Sequence, residues 1–474
     1  MMTTAGTDGN KWIRLSHAYG LFVAALLGYF LFRIPIQVYD CFTDFLSLAR
    51  PMSDIVRDAT WQTSFLRPGR YVQLKIVYEL AAGHYYYAFR LVHAAHVLVL
   101  VVLTVRLIRP DTVAGAVTTP LALAVVVGAP SFAGTLREAF PINHYLTIVV
   151  ACVAAANLAF ARRRWWTDVL AAVLLAVAAL TIESGVLVWV VFAGAYLVGL
   201  RGVSRGGLAG VTLVLTAYFL MRFVVLDVGL PAFEDRESGF GLHRYNGHEL
   251  RAMFGANPLP FYAYNVVASI SSVLVAEPRD GIFRIASGLV GEPVQAPFLI
   301  GFTASGLATA LVVSFSWSRR RLWLSRRFDR GDQIVLLFWM VLGANAALGY
   351  AYTKDVIMAP AGVFFAAAVF VACRHRLETL PAARHRLPVM VLLAALAFTW
   401  SIRTVGLHAS LVGTAGQVRE QWAYVDDWLA ARYGESGGPP HLQAMKRLLQ
   451  EEALVRHPAG PLLKETWTRW FEME

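Results

Sequence analysis

The chain has 474 residues, 57% hydrophobic and only 15% charged, with 42 Lys and Arg against 31 Asp and Glu for a net charge of +11. A soluble domain carries about 25% charged residues. The shortfall runs along most of this chain, which excludes a soluble fold with a single anchor. The basic residues fall between apolar runs, not in a stripe with interleaved aromatics, so they read as cytoplasmic loops and no nucleic-acid partner is expected. Cys41, Cys152 and Cys373 form no CxxC pair, so neither a disulfide framework nor a thiolate metal site is expected.

Apolar stretches near 20 residues mark membrane crossings. The first, 15–36, follows Lys11 and Arg14 and carries no small-residue cleavage site, so it reads as a retained helix. A polar segment, 37–70, comes next. Within it Asp40 and Asp44 are four residues apart, as are Asp54 and Asp58, so each pair shares a face if the segment is helical. A carboxylate at the membrane surface can take a proton from a nucleophile or help hold a divalent cation; an amphipathic helix resting on the membrane is the structural alternative. RPGRY closes the segment. Its Arg67 and Arg70 can grip a phosphate, or anchor the next helix at the interface.

Further spans are expected at 86–108, 113–130 and 141–160, with Arg137, Glu138 and His144 between the last two. Glu138 is a candidate second acid or metal ligand. Spans at 167–182 and 184–200 leave almost no loop, which sets Glu183 at or just within the membrane surface; such a carboxylate points to function or a buried ion pair. After 207–227, a long segment over 228–260 reads as irregular, and its HRYNGH run is no recognised ligand pattern. The glycines of GLRGVSRGGLAG follow no strand, so they make no dinucleotide site. The piece 261–276 is weakly apolar and keeps the loop charges in phase only if it does not cross completely. Spans at 296–317, 333–351, 356–373 and 388–406 complete an all-α polytopic membrane protein of about 11 transmembrane helices. Lys354 and Asp355 sit between the late spans, where Lys354 can meet a lipid phosphate or pair with its neighbour. Arg222 and Arg403, near span ends, can snorkel or bind phosphate. The tail, 407–474, reads as a small helical segment broken by GESGGPP.

The arrangement resembles the GT-C class of membrane glycosyltransferases over about residues 10–406. The first outer loop opens with YDCFTDFLSL, where Asp44-Phe45 matches the second half of the class's paired-Asp motif; Thr43 stands for the first Asp, with Asp40 nearby. Arg67-Pro68 follows, then RLVHAAH with His93 and His96, then Glu138. Glu183 remains of a Lys-Glu pair, with Ile182 in place of the lysine, and Lys354 supplies a late basic residue. The resemblance implies a 1–406 transmembrane domain that transfers a sugar, by inversion, from a polyprenyl-phosphate donor to a lipid, glycan or protein acceptor. It implies Asp44 or Asp40 as base and Glu138 as assistant, Asp44 and Glu138 being candidate ligands for Mg or Mn. Arg67, Arg70, Glu183, Lys354 and His93 would bind substrate. Composition and loop charges suggest a bacterial inner membrane, with the N-terminus cytoplasmic and the active face and 407–474 periplasmic. A flippase for lipid-linked glycans and a non-catalytic partner in a cell-envelope complex are the competing expectations.

Overall fold

A computed structural model describes residues 5–32, 47–62, 65–137, 144–229, 246–255, 257–275, 291, 296–351, 355–380 and 383–414, with scattered positions from 426 to 447. Among the described residues every regular element is helical. Seven helices are long and apolar enough to cross a membrane, or eight if one bent pair counts as a span; four shorter apolar helices accompany them. The protein is a membrane-embedded helical bundle.

Helix α1 (Ala5–Leu31) packs antiparallel to α4 (Tyr85–Ile108), with Gly20 set against Val101 and Val105. Between them lie α2 (Met52–Trp61) and α3 (Pro68–Ala81). The apolar-run reading misses α3, which alternates Arg70, Gln73, Lys75 and Glu79 with apolar residues; only one face, through Leu74, Lys75, Val77 and Ala81, is buried. Lys75 is buried because its ammonium donates to Leu48 O (2.7 Å) and pairs with Glu79.

The expected span 113–130 is a bent pair. Helix α5 (Val113–Gly128) breaks before Pro130, and α6 (Pro130–Arg137) leaves at 63°. Proline supplies no N–H to carry the ladder through. Then come α7 (His144–Phe160), α8 (Trp165–Ala179), a 3-10 turn (Glu183–Val186), α9 (Leu187–Leu197) and α10 (Arg205–Phe219). A π-helical turn, Leu220–Val225, extends α10. The segment 228–260, expected to be irregular, contains α11 (Gly247–Phe254), which Asn246 and Glu249 close with a reciprocal cap.

Helix α12 (Leu259–Leu274) starts level with Tyr350, whose carbonyl accepts from Asn265 (2.7 Å). It stops where Leu274 O accepts from Thr309, midway along α13 (Ala296–Leu324). Helix α13 runs past the expected end at 317 because Arg319 is held by Asp332 at the start of α14 (Arg330–Leu348). A 3-10 turn (Asp355–Met358) leads into α15 (Ala359–Thr379), and α16 (Ala383–Thr414) follows. Helix α15 is the core: 94% of its apolar window is buried, against 17–50% for the other candidate spans. Ala361, Gly362, Ala366, Ala367 and Ala368 let its neighbours approach closely, which is how helices gain packing energy where lipid removes the hydrophobic drive.

Contacts between helix ends sort the bundle into two ends. One gathers Asp332, Arg319, Arg374, Asp111 and Asp168. The other gathers Glu183, Arg222, Tyr350 and the C-terminal end of α1, where Phe30 meets His408.

Candidate functional site

Glu183 lies at the tip of the α8–α9 hairpin. The chain turns there without a conventional loop: Gly185 N–H donates to Ile182 O (2.8 Å), and a Cβ on Gly185 would stand 2.2 Å from the Ala178 carbonyl. Only glycine fits that approach, and the tight turn presents the preceding carboxylate at the rim.

Two arginines from distant parts of the chain meet this carboxylate. Arg67 donates through Nε to Oε1 (3.2 Å) and through Nη2 to Oε2 (2.6 Å), a two-pronged match to the carboxylate plane. Arg222 donates through Nη1 to Oε1 (3.0 Å) and to Tyr218 Oη (3.1 Å). Arg67 caps α3, which is seated by Gln73 donating to Thr181 Oγ1 (2.8 Å) and by Gly69 lying against Leu180 O. Arg222 occupies the π-helical turn, where wider winding aims it inward; such turns often mark functional sites. Its side chain is 6% exposed, against 20% for Arg67 and 30% for Glu183. The cluster therefore has a buried floor, a partly open rim and one positive charge more than negative.

Of the residues expected to bind substrate, Arg67 and Glu183 are brought together. Arg70, over the ring of Tyr71 at 5.3 Å, is not a partner of Glu183. His93 is 1% exposed inside the bundle, one turn from the fully buried Arg90, and neither of its ring nitrogens has a hydrogen-bond partner. Its neighbour His96 bonds to Val92 O and approaches Thr147 Oγ1 at 3.4 Å. Asp40, Asp44, Glu138 and Lys354 lie outside the described residues. Among the described residues no three His, Cys, Asp or Glu side chains gather to hold a metal ion.

Asp54 and Asp58 do share the helix α2, and local arginines occupy both. Asp58 accepts from Arg50 (2.6 Å) and Arg57 (3.4 Å), and Asp54 pairs with Arg57 (3.4 Å). The Arg50 hydrogen bond holds the Asp58 carboxyl below the usual range. Arg222 does not snorkel; it turns into the bundle. The four-residue spacing of Tyr218, on α10, and Arg222, in the π-helical turn, is the sequence signal for that pairing. No protein-family model, curated protein or solved structure matches this chain.

Proposed function

We propose that the chain is a membrane glycosyltransferase of the GT-C type. It moves a sugar from a polyprenyl-phosphate-linked donor to a lipid, glycan or protein acceptor at the outer face of a bacterial inner membrane, with about 11 crossings and a cytoplasmic N-terminus. One observation carries the reading: two guanidiniums share one carboxylate at a partly open rim, leaving positive charge suited to a phosphorylated lipid. Helix α1 ends at this same end of the bundle, and Asp40 and Asp44 follow it in the sequence.

In this mechanism Asp44 or Asp40 takes the proton of the acceptor hydroxyl. The acceptor oxygen bonds to the anomeric carbon from the face opposite the phosphate. The bond from that carbon to the phosphate oxygen breaks, and its electron pair leaves with the polyprenyl phosphate. Arg67 and Arg222 stabilise that charge as it develops. Glu138 assists, and with Asp44 supplies hard oxygen ligands suited to Mg or Mn.

The test is transfer by purified protein supplied with polyprenyl-phosphate sugars. Wild type transfers sugar, while Asp44→Asn or Asp40→Asn lowers the rate at least about a hundredfold. An active preparation unaffected by both changes would overturn the choice of base. A lipid-linked glycan flippase is the second reading, favoured by the short, 16-residue α12 and the bent α5–α6 pair, since broken helices line transporter sites. Glycan crossing in sealed vesicles with no sugar transferred would establish that reading instead.

A further inference from the structure

At the Asp332 end, the turns after α7 and α9 lie side by side. Gly202 N–H donates to Ala159 O (3.1 Å), and Thr167 Oγ1 donates to Gly202 O (2.7 Å). This corner gathers Arg162, Arg163, Arg164, Arg201 and Arg205, all exposed. The acid beside them, Asp168, is already taken by Ser204 through its N–H (2.8 Å) and its hydroxyl (2.7 Å). Among the described residues, none of these five arginines has a carboxylate partner within 4.0 Å.

A shallow, open groove of about 550 Å³ runs from this corner along α10. Arg205 stands at its mouth with Nε donating to Tyr196 Oη (2.7 Å), and Arg201 lies 4.0 Å over the same ring. One tyrosine thus fixes both guanidiniums. Ala209, Thr212 and Thr216 follow at helical spacing and form the floor. Their hydroxyls are engaged: Thr212 donates to Leu208 O (2.8 Å) and accepts from Trp189 (3.0 Å), and Thr216 donates to Thr212 O (2.9 Å). What the floor offers a ligand is hydrocarbon.

We infer that this groove binds an anionic phospholipid, its phosphate between Arg201 and Arg205 and one acyl chain along Ala209, Thr212 and Thr216. Charge complementarity selects the headgroup. Unpaired arginines alone attract any anion diffusely, and an apolar groove alone accepts any chain. Their junction at one mouth selects a molecule that is both. The site lies at the opposite end of the bundle from Glu183 and does not depend on the proposed transfer reaction.

The experiment is native mass spectrometry of the full-length protein released from detergent, with phosphatidylglycerol and phosphatidylcholine of identical chains. Wild type retains the first and sheds the second. Removing each arginine weakens binding roughly fivefold, so Arg201→Gln with Arg205→Gln weakens it about twenty-fivefold. Ala209→Phe fills the groove while sparing every charge, and it weakens retention by at least about tenfold. Arg320→Gln, at a half-buried arginine stacked 4.0 Å over Trp317 outside this groove, leaves binding unchanged. Wild-type retention by Ala209→Phe overturns the inference, because the attraction is then diffuse. Equal retention of phosphatidylcholine, or displacement by inorganic phosphate alone, overturns it as well.

Discussion

The Arg319 and Glu183 clusters are mirror images in charge. At one end of the bundle a single guanidinium faces two carboxylates: Arg319 reaches Asp332 (2.7 and 2.9 Å) and Asp329 (2.5 Å). At the other a single carboxylate faces two guanidiniums. Asp332 is fully buried and also accepts from Trp323 Nε1 (2.8 Å) and from the Asp329 N–H (3.0 Å). Asp332 is closed off, though Asp329 stays exposed, and the cluster pins α13 to α14. Glu183 keeps 30% of its side chain exposed and faces two guanidiniums, so its arginines retain charge to offer a ligand. The difference separates a joint from a receptor: the first centres on a fully buried carboxylate and carries excess negative charge, while the second carries excess positive charge at a rim.

The comparison breaks first at Asp332. Asp332→Ala leaves the Trp323 N–H without its acceptor and strips two of the three carboxylate contacts from Arg319, so stability falls by about 4 kcal/mol. Thermal unfolding in detergent measures it, and a wild-type midpoint would show that the joint contributes nothing. Gly185→Ala is the next largest effect. Its new Cβ meets backbone at Ala178, so about 3 kcal/mol is lost and the Glu183 tip is displaced. Unchanged melting would mean the hairpin tip yields freely.

Arg222→Gln sharpens the contrast. Glu183 keeps its two-pronged bond to Arg67, so stability drops by only about 1 kcal/mol, while sugar transfer falls about a hundredfold. Equal losses in both measurements would make the Glu183 cluster a second joint. The smallest effect is at Asp58, an exposed pair. Its carboxyl is held below its unfolded value, so any stabilisation exists above the unfolded pKa and is lost as pH falls through the folded one. Asp58→Asn should leave the melting midpoint at neutral pH unmoved, and a clear shift would show that α2 is held by more than solvated charge.

The long apolar runs made most of the helices legible, because a sustained hydrophobic stretch has few other uses. The misses have physical causes. Helix α3 hides because Arg70, Gln73, Lys75 and Glu79 interrupt its apolar run and only one face is covered. The bend at Pro130 is invisible to hydropathy, which averages across it. Helix α13 outruns its apolar core because Arg319 rides on the helix to reach Asp332. At the site, Glu183 stood out as a lone acid in an apolar run, and Arg67 by its Pro-Gly context. Their pairing spans 116 positions, which no local pattern encodes. Arg222 looked like a residue that reaches for the headgroups; the π-helical turn directs it to Tyr218 and Glu183 instead.

Helix α15 follows, in chain order, every helix that packs heavily around it, including α5, α13 and α14. During synthesis those earlier helices are in place before it emerges from the ribosome. Until α15 joins them, the faces they turn toward it in the finished bundle lack their partner. A nascent chain stopped after Leu348 therefore carries a lipid-filled or water-filled cleft through its centre, and cysteines placed at Val126 or Val341 would react with small thiol reagents there and go silent once residues 355–380 are added.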